Sequence, residues 1–561
     1  MLLIYPPAAR STEPPIALAR LAGFLRAHGI PSRALDLCAE GIDYALGEAV
    51  AGAAAAAGGA SKAAGAATVS GAAAPGDDTW TRRALANRER NARALRSPAG
   101  YENPDRYSRA VADLNRAMGA RALRSAAAAP AAISEAAFSS ASAAVPSLAN
   151  YEDPCLSPLR SADLLASARD FRQNFFFPLF SRRVDEELEA SGVGAVGISV
   201  NFLSQALCAF AIIGYLRTVY PRLRLAIGGG LVNSWVAAGL LRSGSLRSGL
   251  PGAGSGVRDD FLGSLVDAVL PGKGEDSLPG FLGFARTAGS APPDFACFDL
   301  SRYFAPVRIL PYNLSVGCPW KKCVFCPETA EDAPYLPLGS ETAYSELAGL
   351  VRSWSPGLIH FTDSEFSPRH LRDLVRDPPG VPWYGFARFA PPLDSGDFCR
   401  CLAAAGCRML QLGLESADQR VLDAMGKGTD LPVIERILAN LAEAGIAAYL
   451  YVLFGTSAEN LSSALMTRDF VAAHSAEIGF LNVAVFNLPI GGAETRTLKT
   501  KAFYEGDLSL YREFEHPEGW NRDAVRAFLA RDFAPEPRIK AVLKRNPPVF
   551  TSNHAPFFPF R

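Results

Sequence analysis

Three cysteines crowd into nine positions of this 561-residue chain. Cys318, Cys323 and Cys326 lie in the run GCPWKKCVFCPE, directly after an apolar segment that predicts a strand. Thiolates at such spacing are typical metal ligands, whereas ten cysteines in the whole chain are too few for a disulfide-based fold. Three protein ligands are one fewer than a structural zinc site or a 4Fe–4S cluster normally takes. The loop therefore predicts either a cluster with one iron open to another ligand, or a zinc site completed by His360 or another cysteine.

The overall composition bounds the class of protein. Hydrophobic residues make up 49% and charged residues 20%, so a large core can be buried. Lys+Arg and Asp+Glu are both 56, and this zero balance argues against a protein that works mainly on nucleic acid or on an anionic membrane. The start, MLLIYPPAAR, has no pattern of a secretory signal, which favours a reducing, cytoplasmic location. The uncharged stretch 190–216 has the length of a membrane span, but its glycines and amides favour a strand, a loop and a buried helix.

The first 285 residues predict a doubly wound, Rossmann-like parallel sheet. Strand, helix and strand follow one another within forty residues, which is a βαβ unit. Further strands are predicted at 194–200, 223–227 and 268–270, and each runs into a glycine-containing loop, which predicts a ligand at the carboxyl edge. An insertion at about 48–180 interrupts this domain; its Ala/Ser-rich stretches, 49–75 and 125–147, predict flexible linkers around a few helices.

A second alternating region follows a linker at 286–307. Between 308 and 494, amphipathic stretches separate six predicted strands, at 308–316, 358–361, 383–386, 409–413, 447–454 and 481–486. This alternation predicts a partial (β/α)6 barrel of the TIM type, so that the fold class is α/β. A C-terminal extension covers 495–561. Its polar aromatic and histidine side chains either line the open side of the barrel or only pack: Tyr504, Tyr511, His516, Trp520 and His554.

The cysteine loop and four later segments closely resemble, in order, the motifs of the radical S-adenosylmethionine (radical SAM) superfamily. Phe325 fills the aromatic position before the last cysteine, and the later segments are HFTDSEF (360–366), GFARF, QLGLESADQRVLDAMGKGT (411–429) and YVLFGTSAEN (451–460). The resemblance covers roughly residues 300–490. The commonest family spacing is C-x3-C-x2-C, whereas this chain has C-x4-C-x2-C, which leaves the loop conformation open.

The resemblance implies a site for two cofactors. Cys318, Cys323 and Cys326 would hold a 4Fe–4S cluster; the residues that would contact SAM are Phe325, Asp363, Glu365, Arg388, Glu415 and Gly455. Structural roles stay open beside these. Asp363 and Glu365 also fit caps of the next helix, Arg388 an ion pair, and Glu415 a salt bridge at the barrel rim.

The N-terminal domain resembles the cobalamin-binding domain that precedes many radical SAM cores. The resemblance implies corrinoid contacts at Ser199, Asn201, Gly228 and Gly229. The D-x-H-x-x-G motif, whose histidine binds cobalt, is absent from the loop PPAARSTEPP, and DLCAEG with Cys38 only mimics it after the second strand. Either cobalamin binds without a protein ligand to cobalt, or the domain holds none.

The resemblance therefore implies a radical SAM enzyme that cleaves SAM reductively and starts radical chemistry on an unknown small-molecule or peptide substrate. If cobalamin binds, methyl transfer is the expected reaction, and the chemistry implies an electron donor such as flavodoxin or ferredoxin. The alternative is a non-catalytic iron–sulfur or corrinoid-binding sensor on the same fold. Cys399, Cys401 and Cys407 suggest a second cluster, but residues i and i+2 of a helix do not share a face, which favours unpaired cysteines.

Overall fold

A computed structural model describes residues 1–47, 77–127, 144–245, 261–285 and 291–559. The chain forms two compact units. Unit 1 comprises Met1–Gly100, Asp105–Phe304 and Glu505–Ser509, and unit 2 comprises Tyr101–Pro104, Ala305–Tyr504 and Leu510–Arg561. The predicted linker at 49–75, and most of the one at 125–147, lie outside the described residues. The predicted α/β class is confirmed by two parallel sheets, one in each unit.

The sheet of unit 1 is doubly wound. The strands of this part of the chain are β1 (Leu2–Tyr5), β2 (Arg33–Asp36), β3 (Val145–Pro146), β4 (Tyr151–Glu152), β5 (Ala195–Ser199), β6 (Arg224–Gly228), β7 (Gly244–Ser245) and β8 (Ala268–Leu270). The sheet order is β2-β1-β5-β6-β8-β7; all pairs are parallel except β7 with β8, and β3 and β4 form a separate hairpin. The order reverses between β1 and β5, which places a ligand crevice at their carboxyl ends.

Nine helices are described in the same part of the chain: α1 (Ile16–Ala27), α2 (Leu37–Leu46), α3 (Thr79–Leu95), α4 (Pro104–Ala127), α5 (Ser161–Arg169), α6 (Phe177–Ser191), α7 (Leu203–Val219), α8 (Gly230–Ala237) and α9 (Gly274–Leu282). Helix α7 is buried from Gln205 through Leu216, so the uncharged stretch 190–216 is strand, loop and core helix, as predicted. Among the described residues, no helix combines the length and the apolar character needed to cross a membrane.

The helical part of the insertion is fixed to unit 1 by ion pairs. The Asp43 carboxylate of α2 accepts from Arg96, which follows α3, at 2.7 Å and from Arg302 at 3.0 Å. The Arg96 guanidinium also lies 4.2 Å from the centre of the Phe304 ring. Because Asp43 is buried, both arginines are held in place. The helices of the insertion therefore belong to the fold of unit 1.

The sheet of unit 2 has six parallel strands in chain order. Along the chain lie β9 (Ile309–Tyr312), β10 (Ser315–Val316), β11 (Leu336–Pro337), β12 (Leu358–Phe361), β13 (Trp383–Ala387), β14 (Cys407–Glu415), β15 (Ala447–Phe454) and β16 (Ile478–Val485). The sheet order is β9-β12-β13-β14-β15-β16. The helices between them are α10 (Pro327–Ala330), α11 (Ser340–Trp354), α12 (Pro368–Arg376), α13 (Gly396–Ala404), α14 (Gln419–Ala424), α15 (Leu431–Ala444) and α16 (Leu461–Ala473). Parallel strands paired in chain order confirm the predicted six-stranded arrangement of a partial barrel.

One predicted strand is divided in two. The sequence predicts a single strand at 308–316, but the chain leaves the sheet after Tyr312, and β10 pairs antiparallel with β11. The cause is a buried carboxylate, because Asp363 accepts hydrogen bonds from the backbone N–H of Leu314 at 2.9 Å and from the hydroxyl of Ser315 at 2.6 Å. These bonds replace the ladder that a longer strand would form.

The C-terminal part of unit 2 is a small sheet followed by short helices. Its elements are β17 (Leu488–Pro489), β18 (Thr500–Ala502), β19 (Tyr511–Phe514), α17 (Arg522–Phe528), α18 (Pro537–Leu543) and α19 (Thr551–His554). The strand order is β17-β19-β18, all antiparallel. His554 is fully buried against the rings of Phe550 and Phe557, so it packs within this region.

Candidate functional site

The structure brings the predicted cluster and SAM residues to one edge of the sheet of unit 2. They follow or end successive strands: Cys318, Cys323, Phe325 and Cys326 after β9 and β10, Asp363 and Glu365 after β12, Arg388 after β13, Glu415 at the end of β14, and Gly455 after β15. The carboxyl ends of parallel barrel strands share one face, which is where such folds place their chemistry.

The three cysteines are free thiols on one loop. The Cys318 thiol donates to the Glu365 carboxylate at 3.2 Å, and burial raises the pKa of Cys318 to about 11. Burial also raises the pKa of Cys323, against the opposing effect of the nearby cations Lys427 and Arg388. The loop is tied down by a hydrogen bond from the Val324 N–H to the carbonyl of Met425 at 3.0 Å.

The donor set fits an iron–sulfur cluster by its chemistry. In the described ranges, no three His, Cys, Asp or Glu side chains are grouped so that they could hold a metal ion as they stand. The Cys318 thiol donates its proton in a hydrogen bond to Glu365, and Cys318 would have to lose that proton to bind a cluster as a thiolate. The cations Arg388 and Lys427 lie beside this loop and would offset the negative charge of the thiolates. The ring of His360, the residue considered for a zinc site, is instead stacked on Tyr384 at 4.5 Å.

A buried network of charges surrounds the loop. Arg388 donates to the backbone carbonyl of Lys427 and lies 3.6 Å from the Glu365 carboxylate. The Lys427 ammonium forms a 2.8 Å ion pair with Glu415 and lies 5.8 Å from the centre of the Phe325 ring. The structural roles considered for Arg388 and Glu415 are thus observed as ion pairs, while their contacts with SAM stay predictions. Lys427 was not predicted from the sequence; its only signal is a lysine between two glycines in the run MGKGT.

The backbone of β14 makes room for the Glu415–Lys427 pair. Glu415 adopts a φ of +62°, and the register with β15 shifts between Gly413 and Glu415. A Cβ atom on Gly413 would lie 2.6 Å from the Lys427 ammonium, so any side chain there would push the pair apart. A non-glycine residue in the left-handed region costs about 1–3 kcal/mol and is held by its surroundings. The strand end is therefore shaped to hold one carboxylate.

Asp363 and Glu365 have different surroundings. The buried Asp363 carboxylate engages Leu314 and Ser315, and burial raises its pKa to about 6. Burial also raises the pKa of Glu365, against the lowering effect of Arg388. Neither acid caps the next helix, because the hydroxyl of Ser367 is the cap of α12. The helix-cap alternative is therefore wrong for both residues, and their contacts with SAM stay predictions.

The loop after β15 is held by a buried acid that sequence reasoning missed. Gly455 has a φ of +89°, and its N–H donates to the carboxylate of Glu459. Glu459 is fully buried, also accepts from the indole N–H of Trp520 at 2.9 Å, and has a pKa that burial raises to about 7. The His516 ring contacts the carbonyl of Thr456 at 2.9 Å. His516 and Trp520 therefore pack against this loop, one of the two roles considered for them.

Below this edge, one face of the sheet carries aromatic rings around an amide. Phe386, Gln411 and Tyr449 are register partners on β13, β14 and β15. The Gln411 amide donates to the hydroxyl of Tyr451 at 2.8 Å, and the Phe386 and Tyr451 rings lie 5.5 Å apart. The opposite face is the helix side, where Trp383 donates to the carbonyl that follows α13. These residues together form the aromatic face of the sheet.

In unit 1, the predicted cobalamin residues lie at the carboxyl ends of β5 and β6. Asn201 donates to the hydroxyl of Ser199 at 3.1 Å and accepts from the Gly230 N–H at 2.8 Å. Gly229 has a φ of +107°, and a Cβ atom there would lie 2.5 Å from the carbonyl oxygen of Val200. The loops after the two strands are thus interlocked, and close approach of their backbones requires glycine.

The cysteines outside the loop differ in their burial and in their contacts. The Cys38 thiol is buried and donates to the carbonyl of Ala9 at 3.0 Å. Cys399 is buried on α13, Cys401 is exposed, and Cys407 is buried at the start of β14. Their surroundings are those of unpaired cysteines.

Comparison with known proteins gives several similar chains. No protein-family model matches the chain. It is 24% identical over 196 residues to bacteriochlorophyllide d C-12(1)-methyltransferase of Chlorobaculum tepidum, a match that covers 33% of this chain and 42% of that enzyme. The chain thus spans about two fifths of the length of this curated relative.

Three solved structures are also similar. The radical S-adenosylmethionine methyltransferase TsrM from Kitasatospora setae, solved with cobalamin and a [4Fe-4S] cluster, is 16% identical; the match covers 63% of this chain and 79% of TsrM, with a TM-score of 0.43. The cobalamin-dependent S-adenosylmethionine radical enzyme OxsB, solved with aqua-cobalamin, is 17% identical, with 56% and 49% covered and a TM-score of 0.41. HemN from Escherichia coli, a radical SAM enzyme, is 15% identical, with 40% and 51% covered and a TM-score of 0.28. Radical SAM enzymes, whose motifs the sequence resembles, are thus proteins to which this chain is similar.

Proposed function

We propose that this protein is a radical SAM enzyme. The observation that carries the proposal is the meeting of three free cysteines with the buried charges of Arg388 and Lys427 at one edge of a six-stranded parallel sheet. A 4Fe–4S cluster and SAM, when bound, supply reductive cleavage of SAM and a 5′-deoxyadenosyl radical. Cys318, Cys323 and Cys326 would hold the cluster.

The protein's own share is to place the charged groups of SAM. Arg388 and Lys427 are cations next to the cysteine loop, and a SAM carboxylate is the anion that they would bind there. Glu415 would accept hydrogen bonds from the ribose hydroxyls, because its carboxylate is already fixed by Lys427. Phe325 and the loop at Gly455 would border the adenosyl part, and Glu365 or Asp363 would face the amino group.

The buried position of these groups would exclude water from the reacting centre. Arg388, Lys427 and Glu415 are each less than a tenth exposed. Charges in such surroundings interact more strongly than in water, and a reactive radical is protected from side reactions. The aromatic face around Gln411 and Tyr451 would receive an apolar part of the substrate.

Cobalamin is proposed as the second cofactor, at the carboxyl edge of unit 1. The glycine cradle at Gly228 and Gly229, with Ser199 and Asn201 beside it, supports this, since the backbone there leaves no room for a side chain. TsrM and OxsB bear cobalamin in their structures, and the curated relative is a methyltransferase. We therefore propose cobalamin-dependent methyl transfer as the reaction, with a flavodoxin- or ferredoxin-like electron donor.

The experiment that tests this function is anaerobic. The cluster is reconstituted, SAM and dithionite are added with and without hydroxocobalamin, and the nucleosides are analysed by mass spectrometry. We expect 5′-deoxyadenosine from the intact protein, and S-adenosylhomocysteine in addition when cobalamin is present. The variant with Cys318, Cys323 and Cys326 changed to alanine should form neither product, whereas the control Cys401→Ala, at an exposed cysteine outside the loop, should form both.

The outcomes separate the competing functions. Iron and sulfide without any nucleoside product would favour a sensor that holds a cluster but does not cleave SAM. Zinc without iron or sulfide would contradict the cluster itself. Deoxyadenosine without cobalamin-dependent S-adenosylhomocysteine would keep the radical chemistry and remove methyl transfer.

A further inference from the structure

Trp320 lies inside the cysteine loop, among the four residues that separate Cys318 from Cys323. Its ring contacts one cation of the loop itself and one cation from another strand end. The Arg388 guanidinium lies 4.1 Å from the ring centre and the Lys322 ammonium 4.6 Å. Cations at such distances over an indole are attracted to its face, most strongly where water is excluded.

The same ring also holds the segment that carries Lys427. The indole N–H donates to the carbonyl of Gly426 at 2.9 Å. A Cβ atom on Gly428 would lie 2.3 Å from the indole, so the ring approaches this backbone as closely as glycine allows. Arg388, which lies over the same ring, also donates a hydrogen bond to the backbone carbonyl of Lys427. One side chain thus contacts both the arginine and the lysine segment.

We propose that Trp320 is a positioning residue for SAM: it fixes Arg388 and the Lys427 segment relative to the cluster loop. The inference rests on the proposed function and deepens it. Within the C-x4-C spacing, the residue after Trp320 forms a left-handed turn, with a φ of +51° at Lys321.

The expected effect follows from the contacts that a substitution removes. Trp320→Leu removes the aromatic face and the N–H donor, whereas Trp320→Phe keeps an aromatic face and removes only the donor. A buried cation–π contact and a hydrogen bond together correspond to about a tenfold to hundredfold change in a dissociation constant. We expect Trp320→Leu to weaken SAM binding by about that factor and Trp320→Phe by about tenfold or less.

The test uses the full chain with its cluster reconstituted. Iron and sulfide per chain are measured first; SAM binding is then read from the change in the electron paramagnetic resonance spectrum of the reduced cluster as SAM is added. We expect full cluster content in both variants, with a higher SAM concentration needed for the same spectral change. The control is Trp80→Leu, an exposed tryptophan of unit 1, which should titrate like the unchanged protein.

A double substitution distinguishes positioning from general packing. If Trp320 acts through Arg388, the double variant Trp320→Leu/Arg388→Leu should bind SAM more weakly than the unchanged protein by a factor much smaller than the product of the two single factors. Independent effects that multiply would overturn the inference. Equal SAM affinity in Trp320→Leu and the unchanged protein would do so too, and so would loss of the cluster in both Trp320 variants, because Trp320 would then serve only to fold the loop. If the unchanged protein binds a cluster but shows no spectral response to SAM, the proposed function itself fails, and this inference with it.

Discussion

Glu459 gives unit 2 a pH-dependent stability that can be measured directly. Its side chain is fully buried, and the Oε1 atom has no hydrogen-bond partner within the described residues. Burial raises its pKa from 4.5 to about 7, although hydrogen bonds from Gly455 and Trp520 act in the opposite direction. The folded protein therefore keeps a proton on Glu459 at pH values where the unfolded chain has lost it.

The sign and the size of the effect follow from this difference. Because the folded-state pKa is the higher one, the contribution of Glu459 to stability is greatest below the unfolded pKa of 4.5 and falls as pH rises to about 7. Each pKa unit corresponds to about 1.4 kcal/mol, so the contribution of Glu459 to the free energy of unfolding should fall by about 2.5 kcal/mol between about pH 5 and about pH 8. Glu459→Gln does not titrate and should lose this part of the pH dependence.

The assay compares the two proteins over that pH range. Unfolding in urea is measured by the cleavage of unit 2 by a protease, detected through peptides that come from unit 2. The free energy of unfolding is obtained by linear extrapolation to zero urea at each pH. The difference between Glu459→Gln and the unchanged protein should shift in favour of the variant by about 2.5 kcal/mol from about pH 5 to about pH 8. Glu443→Gln, an exposed residue of α15, serves as the control and should show no such shift. A difference that stays within about 0.5 kcal/mol over the whole range would refute the assignment of Glu459 as a buried, protonated acid.

Three further predictions concern the two sites. Lys427→Met should lower the free energy of unfolding by about 3 kcal/mol, because it leaves the Glu415 carboxylate buried without its partner. The double variant Lys427→Met/Glu415→Met should recover most of the lost free energy of unfolding in a urea titration. An equal loss in the single and the double variant would contradict the reasoning. Gly229→Ala should weaken hydroxocobalamin binding, followed by absorbance, by about tenfold or more, since its Cβ would lie 2.5 Å from the Val200 carbonyl oxygen; unchanged affinity would remove this loop from the site. Asp363→Ala should destabilise unit 2 by about 2–3 kcal/mol, because it leaves a buried backbone N–H without an acceptor; a loss below about 0.5 kcal/mol in the same assay would contradict this.

Much of the fold could be predicted from the pattern of apolar residues. The boundaries of β12 and β15 agree with the predicted strands 358–361 and 447–454, because each is an apolar run of strand length. The division of the predicted strand 308–316 could not be foreseen. It depends on the Asp363 carboxylate, which lies about fifty positions further along the chain and accepts a hydrogen bond from the backbone N–H of Leu314.

In the candidate site, too, only part of the arrangement could be predicted from the sequence. The resemblance to radical SAM motifs implies roles for the loop cysteines, Arg388 and Glu415, and the structure places all of them at the carboxyl ends of strands; the roles themselves stay predictions. Lys427 and Glu459 could not be predicted, because nothing in their neighbours along the chain marks them as buried. Their importance arises from partners on other elements, namely Glu415 for the lysine and Trp520 for the acid.

The sequence by itself determined the order of the elements, the two parallel sheets and the close spacing of the three loop cysteines, because these follow from periodicity and short-range spacing. Only the tertiary structure decided which charges meet. Arg388, Lys427 and Glu415 come together with Trp320 because parallel strands bring their carboxyl ends to one edge, and because Gly413, Gly426 and Gly428 let backbone and side chains approach there. Burial then sets the protonation of groups such as Glu459, and burial is a property of the packed chain that no local stretch of sequence contains.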